Sequence, residues 1–495
     1  MNRLLDAFWS YERALMADDV PALEALFAPG PETLRRDAAG ILVGHDAISA
    51  FRRGRGGAPR RDILHVEVRE LSHDTALVIA VTAPATGGRG QQSQVWRRFA
   101  DGWRVIAAHV SLPARAVDAS VWRTVGTPLV AGAPEGLLRG QTVAVKDLFD
   151  VAGHPVGAGV PAWLAEAAPA GRTAPAVQAL LDAGADIAGI ARTDEFAYSI
   201  AGRNPHYGTP PNPAVLGGVP GGSSSGPASA VALGQASIGL GTDTAGSIRV
   251  PASYQGLWGL RTTHGAVPVD GVLPLAASFD TVGWLTRDVA TLRAAAAATL
   301  PGGVGTGSLV AAPELLAFVE PDVHDAFDAW ADLDPIAIGG VDELFATFRT
   351  VQQSEAWAQH GAWIKAHPGA LGDDVAGRFA LAAAVTADQA ARGREALAAA
   401  RNRLDDLLGD RVLVLPAASS TAPTVTADPQ LIERTRANTL RLTCIAGITG
   451  RPAISVPLLS VPQPGALLPA PVGVSLVGPR GSDLALIDLA GSLIA

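Results

Sequence analysis

Residues 217–263 read GGVPGGSSSGPASAVALGQASIGLGTDTAGSIRVPASYQGLWGLRTT, a run dense in glycine and serine between apolar segments. The glycine and serine content is too high for a packed helix or strand, but the apolar flanks can hold the run in one place. Loops that a rigid scaffold positions carry a large share of binding and catalytic residues. The sequence therefore predicts a functional loop in this stretch.

Two common loop motifs fit this stretch poorly. Gly222–Gly226 matches the G-x-S-x-G nucleophile elbow with Ser224 as nucleophile, but that elbow directly follows a strand, and the preceding VLGGVPGG cannot form one. The dinucleotide-binding pattern G-x-G-x-x-G fails because Thr244 stands where its third glycine belongs. A third interpretation, a family resemblance, accounts for more of the stretch.

The loop resembles the signature of the amidase signature family, in which GGSSGG is followed further along the chain by GTDTGGSIRxPA. Here the two blocks stand as GGSSSG at 221–226 and GTDTAGSIRVPA at 241–252. Ser247 lies 24 residues after Ser223, the same spacing as in that family. The resemblance therefore extends to the positions of both serines.

Three further blocks resemble the same family. VAVKD at 143–147 is similar to its lysine motif. GRPAISVP at 450–457 and GVSLVGP at 473–479 are similar to its C-terminal strands. The resemblance thus covers roughly residues 128–495.

This resemblance implies a Ser-cis-Ser-Lys triad, with Ser247 as nucleophile, Ser223 as proton relay on a cis peptide bond, and Lys146 as base. A serine hydroxyl is a weak nucleophile at neutral pH and needs a base within hydrogen-bond reach. Lysine can be that base only when neutral, so its pKa must lie well below its ordinary value of about 10.4. Burial without a paired carboxylate lowers the pKa in this way. The alternative is a structural salt bridge from Lys146 to Asp147 or Asp150.

The resemblance also implies an oxyanion hole in the loop before the nucleophile. Its donors would be the backbone N–H groups of Thr244, Ala245, Gly246 and Ser247. Small side chains there allow the backbone to approach the substrate closely. Asp243 and Arg249 are better assigned to holding the loop than to proton transfer.

Substrate contacts are predicted at Tyr198, in the segment DEFAY, and at Ser224. The alternative for Tyr198 is a position in the core behind the loop. Two departures from the family pattern bear on the pocket. Ala245 replaces a glycine, and the same variant occurs in allophanate hydrolases, so urea-like compounds remain an alternative substrate class. Ser225 replaces a second glycine and either alters the pocket or points to solvent.

Histidine chemistry is the competing interpretation of the site. His206 and His264 fit a Ser-His-Asp triad, but that triad leaves Lys146 and Ser223 without roles. The ten histidines include no H-E-x-x-H motif. We therefore expect neither a metal nor a cofactor.

The N-terminal part has a different composition, with two amphipathic helices followed by alternating segments typical of antiparallel strands. It resembles small SnoaL-like domains, in particular the AtzH-like family found with amidases of s-triazine degradation. The matching blocks are Tyr11-Glu12, GHDAI at 44–48, Phe51-Arg52, QSQVW at 92–96 and GWRVIAAHVS at 102–111. The resemblance implies a cone-shaped fold enclosing a pocket, in which four residues can converge on a carboxylate: Tyr11, Arg35, Arg53 and His109. The alternative is a vestigial pocket in a domain that serves only assembly.

These patterns predict an α/β amidase-signature fold, a mixed sheet covered by helices, preceded by a small α+β domain. The predicted boundaries are 1–113 for the SnoaL-like domain, 114–127 for a linker and 128–495 for the amidase signature domain. Within the last, 314–408 is expected to be an inserted helical layer.

Composition narrows the class of protein. The 495 residues are 48% hydrophobic and carry a net charge of −9, which argues against disorder and against nucleic-acid binding. The single cysteine, Cys444, excludes an internal disulfide and indicates a reducing compartment. Because no secretory or membrane-spanning segment can be drawn, we expect a cytoplasmic protein.

The leading hypothesis is an amidohydrolase that releases ammonia from a small or aryl-substituted carboxamide. A urea- or carbamate-type hydrolase and an amidotransferase subunit are the alternatives among enzymes. A degenerate amidase that acts as a scaffold, with the N-terminal domain as binding module, is the alternative from another class. The expected partners are a small-molecule amide and further copies of the chain, as a homodimer or higher homo-oligomer through the N-terminal domain.

Overall fold

The computed structural model describes residues 2–37, 40–58, 60–84, 90–111, 117–463 and 468–494. The chain divides into two compact units, Met1–Ala116 and Val117–Ala495. Each unit has its own sheet and its own hydrophobic core. The predicted domain boundary at residue 113 lies outside the described residues.

The N-terminal unit combines helices with a sheet that has six strands among the described residues. The helices are α1 (Asn2–Ala17), α2 (Val20–Ala25) and α3 (His45–Arg55). The strands are β1 (Leu34–Asp37), β2 (Gly40–Val43), β3 (Arg61–Glu70), β4 (Thr75–Pro84), β5 (Gly90–Phe99) and β6 (Gly102–Ser111). Their order is β2-β1-β6-β5-β4-β3, with β1 parallel to β6 and the other pairs antiparallel.

The core of this unit follows from the spacing of apolar residues in α1. Leu4, Phe8, Tyr11 and Leu15 recur at helical spacing and are buried. They pack in one cluster with Trp96 of β5 and with residues of β4 and β6. Burying such a side chain stabilises the fold by roughly 1.5–3 kcal/mol.

The C-terminal unit is built on one mixed sheet, with order β14-β13-β15-β17-β16-β11-β12-β10-β8-β9-β7. The strands are β7 (Trp122–Val130), β8 (Thr142–Lys146), β9 (Asp186–Ala191), β10 (Ile238–Thr242), β11 (Trp258–Arg261), β12 (Val282–Thr286), β13 (Leu309–Ala311), β14 (Asp334–Pro335), β15 (Val412–Pro416), β16 (Ala453–Val461) and β17 (Ala470–Val477). The helices are α4 (Pro161–Glu166), α5 (Pro175–Asp182), α6 (Ser225–Ala232), α7 (Arg249–Gln255), α8 (Val289–Ala297), α9 (Pro313–Leu316), α10 (Pro321–Trp330), α11 (Val341–Ala366), α12 (Asp373–Ala383), α13 (Ala387–Leu408), α14 (Pro429–Thr449) and α15 (Asp483–Ser492), with a 3-10 turn at Glu195–Ala197. This arrangement confirms the predicted α/β fold, and α9 to α13 occupy the segment expected to be helical.

The central strands place the loop that follows β10. All residues of β10, β12 and β15 are buried, as expected for strands covered on both faces. β10 runs parallel to β8, with Leu240 opposite Val145. Their carboxyl ends therefore lie side by side, at the sheet edge where open α/β sheets carry their sites.

The predicted linker 114–127 differs from the structure. β7 begins at Trp122 and pairs antiparallel with β9. The proline, alanine and glycine content of this stretch suggested a linker, but β7 is the edge strand of the sheet, where proline is tolerated. No helix within the described ranges has both the length and the apolar character that a bilayer span requires.

Candidate active site

Lys146 is the last residue of β8, and its side chain is completely buried. Its Nζ donates hydrogen bonds to Ser223 Oγ and to Thr242 Oγ1, both at 2.8 Å. Thr242 ends the neighbouring strand β10, so the parallel pairing of the two strands brings these side chains together. The structure thus joins two of the three predicted triad residues directly.

Burial lowers the pKa of Lys146 from its ordinary 10.5 to about 7. Three buried carboxylates oppose this effect and raise the pKa: Asp194, Asp243 and Asp280. The salt-bridge alternative fails at Asp147, whose Oδ1 lies 2.9 Å from Nε of Arg123 instead. Among the described residues, no carboxylate lies within salt-bridge distance of Lys146.

Ser223 follows a cis peptide bond at Gly222–Ser223. Its carbonyl oxygen accepts hydrogen bonds from Thr193 Oγ1 at 2.9 Å and from the Asp194 amide at 3.3 Å. A Cβ atom at Gly222 would collide with the Asp194 carboxylate, so only glycine fits there. The relay serine is therefore held from its backbone as well as by Lys146.

Ser247 lies in the turn that follows β10 and is almost fully buried. Its carbonyl oxygen accepts a hydrogen bond from the Ser224 amide at 3.2 Å, which places it beside the relay segment. Gly246 has φ +118, a backbone conformation that favours glycine. The hydroxyl of Thr443, on α14, donates to the Ala245 carbonyl at 2.7 Å and fixes the turn from the other side.

The backbone amides of this turn are of two kinds. Those of Thr244, Ala245 and Ser247 have no acceptor in the part of the chain that the structure describes. The Gly246 amide instead donates to Asp243 Oδ1 at 2.8 Å. The predicted oxyanion role of Gly246 is therefore corrected, because its N–H is already bonded within the loop.

Asp243 holds the loop through two buried arginines. Arg249 donates to its two carboxylate oxygens at 3.0 and 2.8 Å, and Arg261 lies 3.2 Å from Oδ1. Burial alone would raise the pKa of Asp243, but the charges of Arg249 and Arg261 outweigh burial and hold the pKa well below its ordinary range. The geometry agrees with a loop-holding role for Asp243 and Arg249.

Two adjoining cavities meet at the turn. A cavity of about 480 Å³ lies beside Thr242 and Thr244, and most of its apolar lining comes from the loop between β11 and β12. A cavity of about 10 Å³ is lined by Ser247 and by Tyr198. The two share Ala197, Thr244 and Leu275. The structure thus places the predicted nucleophile and Tyr198 on one cavity.

The prediction of Ser224 as a substrate contact is wrong. Ser224 is fully buried, its Oγ donates to the Thr242 carbonyl at 3.3 Å, and it lines neither of these cavities. It precedes α6, and its side chain faces the backbone of β10. Ser225 does not point to solvent either, since its hydroxyl donates to Asp194 Oδ1 at 3.0 Å. Both serines support the loop, which also counts against the nucleophile elbow.

Among the described residues, neither His206 nor His264 contacts a candidate nucleophile. His206 Nε2 lies 2.8 Å from Glu195 Oε1, and His264 Nε2 donates to the Ala277 carbonyl at 2.9 Å. Within the described ranges, no group of three or more His, Cys, Asp or Glu side chains is placed to hold a metal ion. A Ser-His-Asp interpretation therefore has no geometric support.

The four residues predicted to share a pocket in the N-terminal unit do not converge. Arg53 is exposed and its Nη2 lies 2.9 Å from Glu24 Oε1, and His109 is exposed as well. Arg35 is buried but pairs with Asp37 at 2.8 Å. Tyr11 packs in the core, edge-to-face against a tryptophan. The prediction of a shared carboxylate site at these positions is wrong.

A different polar cluster lies inside this unit. Arg61 Nη2 donates to Glu12 Oε1 and to Gln92 Oε1, both at 2.9 Å, and Gln92 Nε2 donates to Glu12 at 2.6 Å. On α3 it is Arg52, not its neighbour Arg53, that is buried. Consecutive residues of a helix point in different directions, so the sequence alone did not show which of the two arginines faces the interior.

Sequence reasoning also missed residues of the C-terminal site. Thr242, the second partner of Lys146, lies in the GTDT block at the end of a strand, and that position could have identified it as a site residue. Gln352 and Arg436 line the cavity of Ser247, but they come from α11 and α14, far along the chain. No local pattern points to either of them.

Comparison with known proteins identifies the family of each unit. A family model described as Amidase matches residues 116–345, and one described as AtzH-like matches residues 1–116. Amidase 1 of Arabidopsis thaliana is 36% identical over 402 residues, which span 72% of this chain and 93% of that protein. The 2-amino-5-chloromuconic acid deaminase of Comamonas testosteroni is 34% identical over 399 residues, 74% of this chain and 83% of that protein.

Similarity extends to solved structures. One, described as an inhibitor-bound vestigial protein complex that reveals the evolutionary origins of an s-triazine catabolic enzyme, has a TM-score of 0.66 and 27% identity. It covers 73% of this chain and 85% of that chain. On this sequence and structural similarity, the chain belongs to the amidase signature family, carries an AtzH-like domain at its N-terminus, and is a hydrolase of carbon–nitrogen amide bonds.

Proposed function

We propose that this chain hydrolyses a small or aryl-substituted carboxamide to a carboxylate and ammonia through an acyl-enzyme on Ser247. The observation that carries the proposal is the buried Lys146, with Nζ 2.8 Å from Ser223 Oγ and a pKa of about 7. At that pKa much of the amine is neutral at neutral pH. It can then accept the proton that Ser223 passes on from the nucleophile.

The proposed reaction proceeds in two halves. Ser247 Oγ bonds to the amide carbonyl carbon while its proton moves through Ser223 to Lys146. The carbon–nitrogen bond then breaks, the proton returns through Ser223 to the leaving nitrogen, and ammonia departs. Water attacks the resulting ester by the same relay, which releases the carboxylate and restores Ser247.

Oxyanion stabilisation is proposed for the amides of Thr244, Ala245 and Ser247. These three have no acceptor among the described residues, so they are available to a developing negative charge. Removing one such donor in other enzymes costs about 100-fold or more in rate. Asp243 and its two arginines hold the donors in place before substrate binds.

The test is Ser247→Ala, with Ser224→Ala as the matched control. We expect Ser247→Ala to abolish ammonia release with nearly unchanged thermal unfolding, since this hydroxyl bears chemistry and little packing. Ser224→Ala should remain active. A fluorophosphonate should label Ser247 in wild-type protein, as located by peptide mapping. An active Ser247→Ala variant or an adduct on Ser224 would contradict the proposal.

A urea- or carbamate-type substrate is the second candidate, favoured by Ala245 in place of the usual glycine. An ammonia-release screen over aliphatic, aryl, urea-type and carbamate amides separates the two. Turnover of none of them would favour the scaffold alternative.

The oligomeric state and the cellular location of the protein are also proposed. We propose a homo-oligomer formed through the N-terminal unit, supported by exposed apolar side chains of its sheet at Ile41, Val43 and Leu64. Light scattering of the full chain and of a variant with these three residues changed to serine tests this. A cytoplasmic location is proposed from the single cysteine, Cys444, which is free and buried.

A further inference from the structure

Arg436 lines the same small cavity as Ser247. It lies on α14, and its Nη1 donates to Glu433 Oε1 at 2.9 Å. The Glu433 side chain is 58% exposed, whereas that of Arg436 is 15% exposed. Arg436 Nε is buried and has no hydrogen-bond partner. The guanidinium beside the nucleophile is therefore only partly satisfied by the protein.

The charge of Arg436 is also incompletely balanced. Burial lowers its pKa to about 10, and the positive charge of Arg378 acts in the same direction. At that pKa the group remains a cation at neutral pH. Its ion-pair partner Glu433 faces solvent, where water screens the attraction. A buried cation with a weak counter-charge costs free energy, which an anion bound in the cavity would offset.

Two neutral side chains on this cavity have unused hydrogen-bonding groups. Tyr198 and Gln352 line it, and within the described part of the chain neither the hydroxyl of Tyr198 nor the amide of Gln352 has a partner. Both can donate to a carboxylate oxygen. Neither belongs to the fully buried atoms without a partner, so the polar ends of both side chains stay accessible to a ligand.

The larger cavity has the opposite character. The described residues that line it include no lysine or arginine, but they include two carboxylates, Asp270 and Asp280. An anionic group is therefore repelled there and attracted to the side of Arg436. The apolar body of a substrate fits the larger cavity, since most of its lining is aliphatic.

We propose that the substrate is a carboxylated amide whose carboxylate binds Arg436, Tyr198 and Gln352 close to the scissile carbonyl. This inference rests on the proposed hydrolysis at Ser247. The small cavity, at about 10 Å³, has room for about one water molecule, so the anion must be small and sit where that water would. One oxygen of a planar carboxylate meets this condition, while the rest of the group extends toward the larger cavity, and a carboxylate can accept two parallel hydrogen bonds from a guanidinium.

The test compares amides of nearly the same size and shape, one with a carboxylate and one with a neutral group in its place. The pairs are malonamate with 3-oxobutanamide, and succinamate with 4-oxopentanamide, in which acetyl replaces the carboxylate. We expect wild-type kcat/KM for ammonia release to be at least ~100-fold higher for the carboxylated member of at least one pair. A difference of this size is typical when one partner of a buried charge pair is missing, as it is with the neutral amide.

Arg436→Gln should abolish that preference. It should lower kcat/KM for the carboxylated amide at least ~100-fold, mainly through KM, and change the neutral amide less than about threefold. Arg434→Gln is the matched control, because Arg434 is an exposed arginine on the same helix. It should leave both substrates unchanged. Equal losses for both substrates in Arg436→Gln would show a structural role and overturn the inference.

Two further measurements separate this inference from the proposed hydrolysis. Calorimetry with Ser247→Ala should detect binding of malonamate or succinamate that Arg436→Gln weakens in the double variant. Binding without turnover in wild type would support the carboxylate site and count against hydrolysis at Ser247. Turnover of neutral amides alone would support hydrolysis and overturn the carboxylate site. If Arg436→Gln fails to fold, the carboxylate site is tested instead with Arg436→Lys and with the substrate pairs measured on the wild-type enzyme.

Discussion

Replacing Lys146 with arginine separates a base from a structural cation. Arginine keeps the positive charge and the donors, but it does not deprotonate near neutral pH in solution. Lys146, with a pKa of about 7, is roughly half neutral at pH 7. Arg261, fully buried in the same unit, has its pKa lowered to about 10. An arginine at position 146 with that pKa would be neutral in about one molecule per thousand at pH 7.

The expected result is a loss of at least ~1000-fold in kcat/KM for ammonia release. Wild-type kcat/KM should also rise with pH through an apparent pKa of about 7 and then level off. The sign follows from the neutral amine being the active form, so activity is lost as pH falls below that pKa. The assay is initial-rate ammonia release from pH 5 to 10, with thermal unfolding of each variant in parallel.

Lys365→Arg is the control, because Lys365 is exposed on α11 and lies away from the triad. It should keep the wild-type rate and profile. Near-wild-type turnover by a folded Lys146→Arg enzyme would refute the reasoning. A wild-type profile that rises only near pH 10 would do so as well, since it would place an ordinary lysine at this position.

Two further predictions concern stability. The pKa of Lys146 is lower in the folded chain than in the unfolded chain, so the unfolded chain binds more protons between pH 7 and 10.5. The free energy of unfolding should therefore rise with pH over this range, by about 5 kcal/mol in all. Lys146→Met should remove this rise, measured by urea unfolding at pH 7 and 9, and an unchanged pH dependence in the variant would contradict the prediction. Asp243→Asn leaves Arg249 and Arg261 without their buried counter-charge, so we expect a loss of about 3–5 kcal/mol in unfolding free energy and a fall in kcat, and unchanged values of both would remove the loop-holding role.

Local sequence was enough to predict buried strands, whereas the triad was implied by the resemblance to a known family. The apolar run before Lys146 predicts a buried strand, and a lysine at the end of such a strand is desolvated. Ser223 and Ser247 sit in blocks whose glycines are needed where the backbone turns or packs closely, as at Gly222 and Gly246. Such features depend on neighbours in the chain, so a sequence pattern can carry them.

The errors arose where the direction of a side chain or an amide decides the role. Ser224 and Ser223 are adjacent, yet one bonds a strand carbonyl and the other bonds Lys146. The Gly246 amide is bonded inside the loop while its neighbours are not. Arg436 reaches the cavity from a distant helix. None of these facts follows from spacing, because each depends on tertiary packing.

The lowered pKa of Lys146 requires that nearby carboxylates interact more strongly with other groups. Asp243 faces two buried arginines, Asp194 a serine hydroxyl and a backbone amide, and Asp280 a threonine hydroxyl and two backbone amides. Burial raises the pKa of Asp194, and that of Asp280 to about 6, so that Asp280 still carries most of its negative charge at pH 7. All three carboxylates still raise the pKa of Lys146, and the larger effect of burial outweighs them. The capacity of Lys146 to act as a base therefore depends on the partners of these three carboxylates as well as on its own burial.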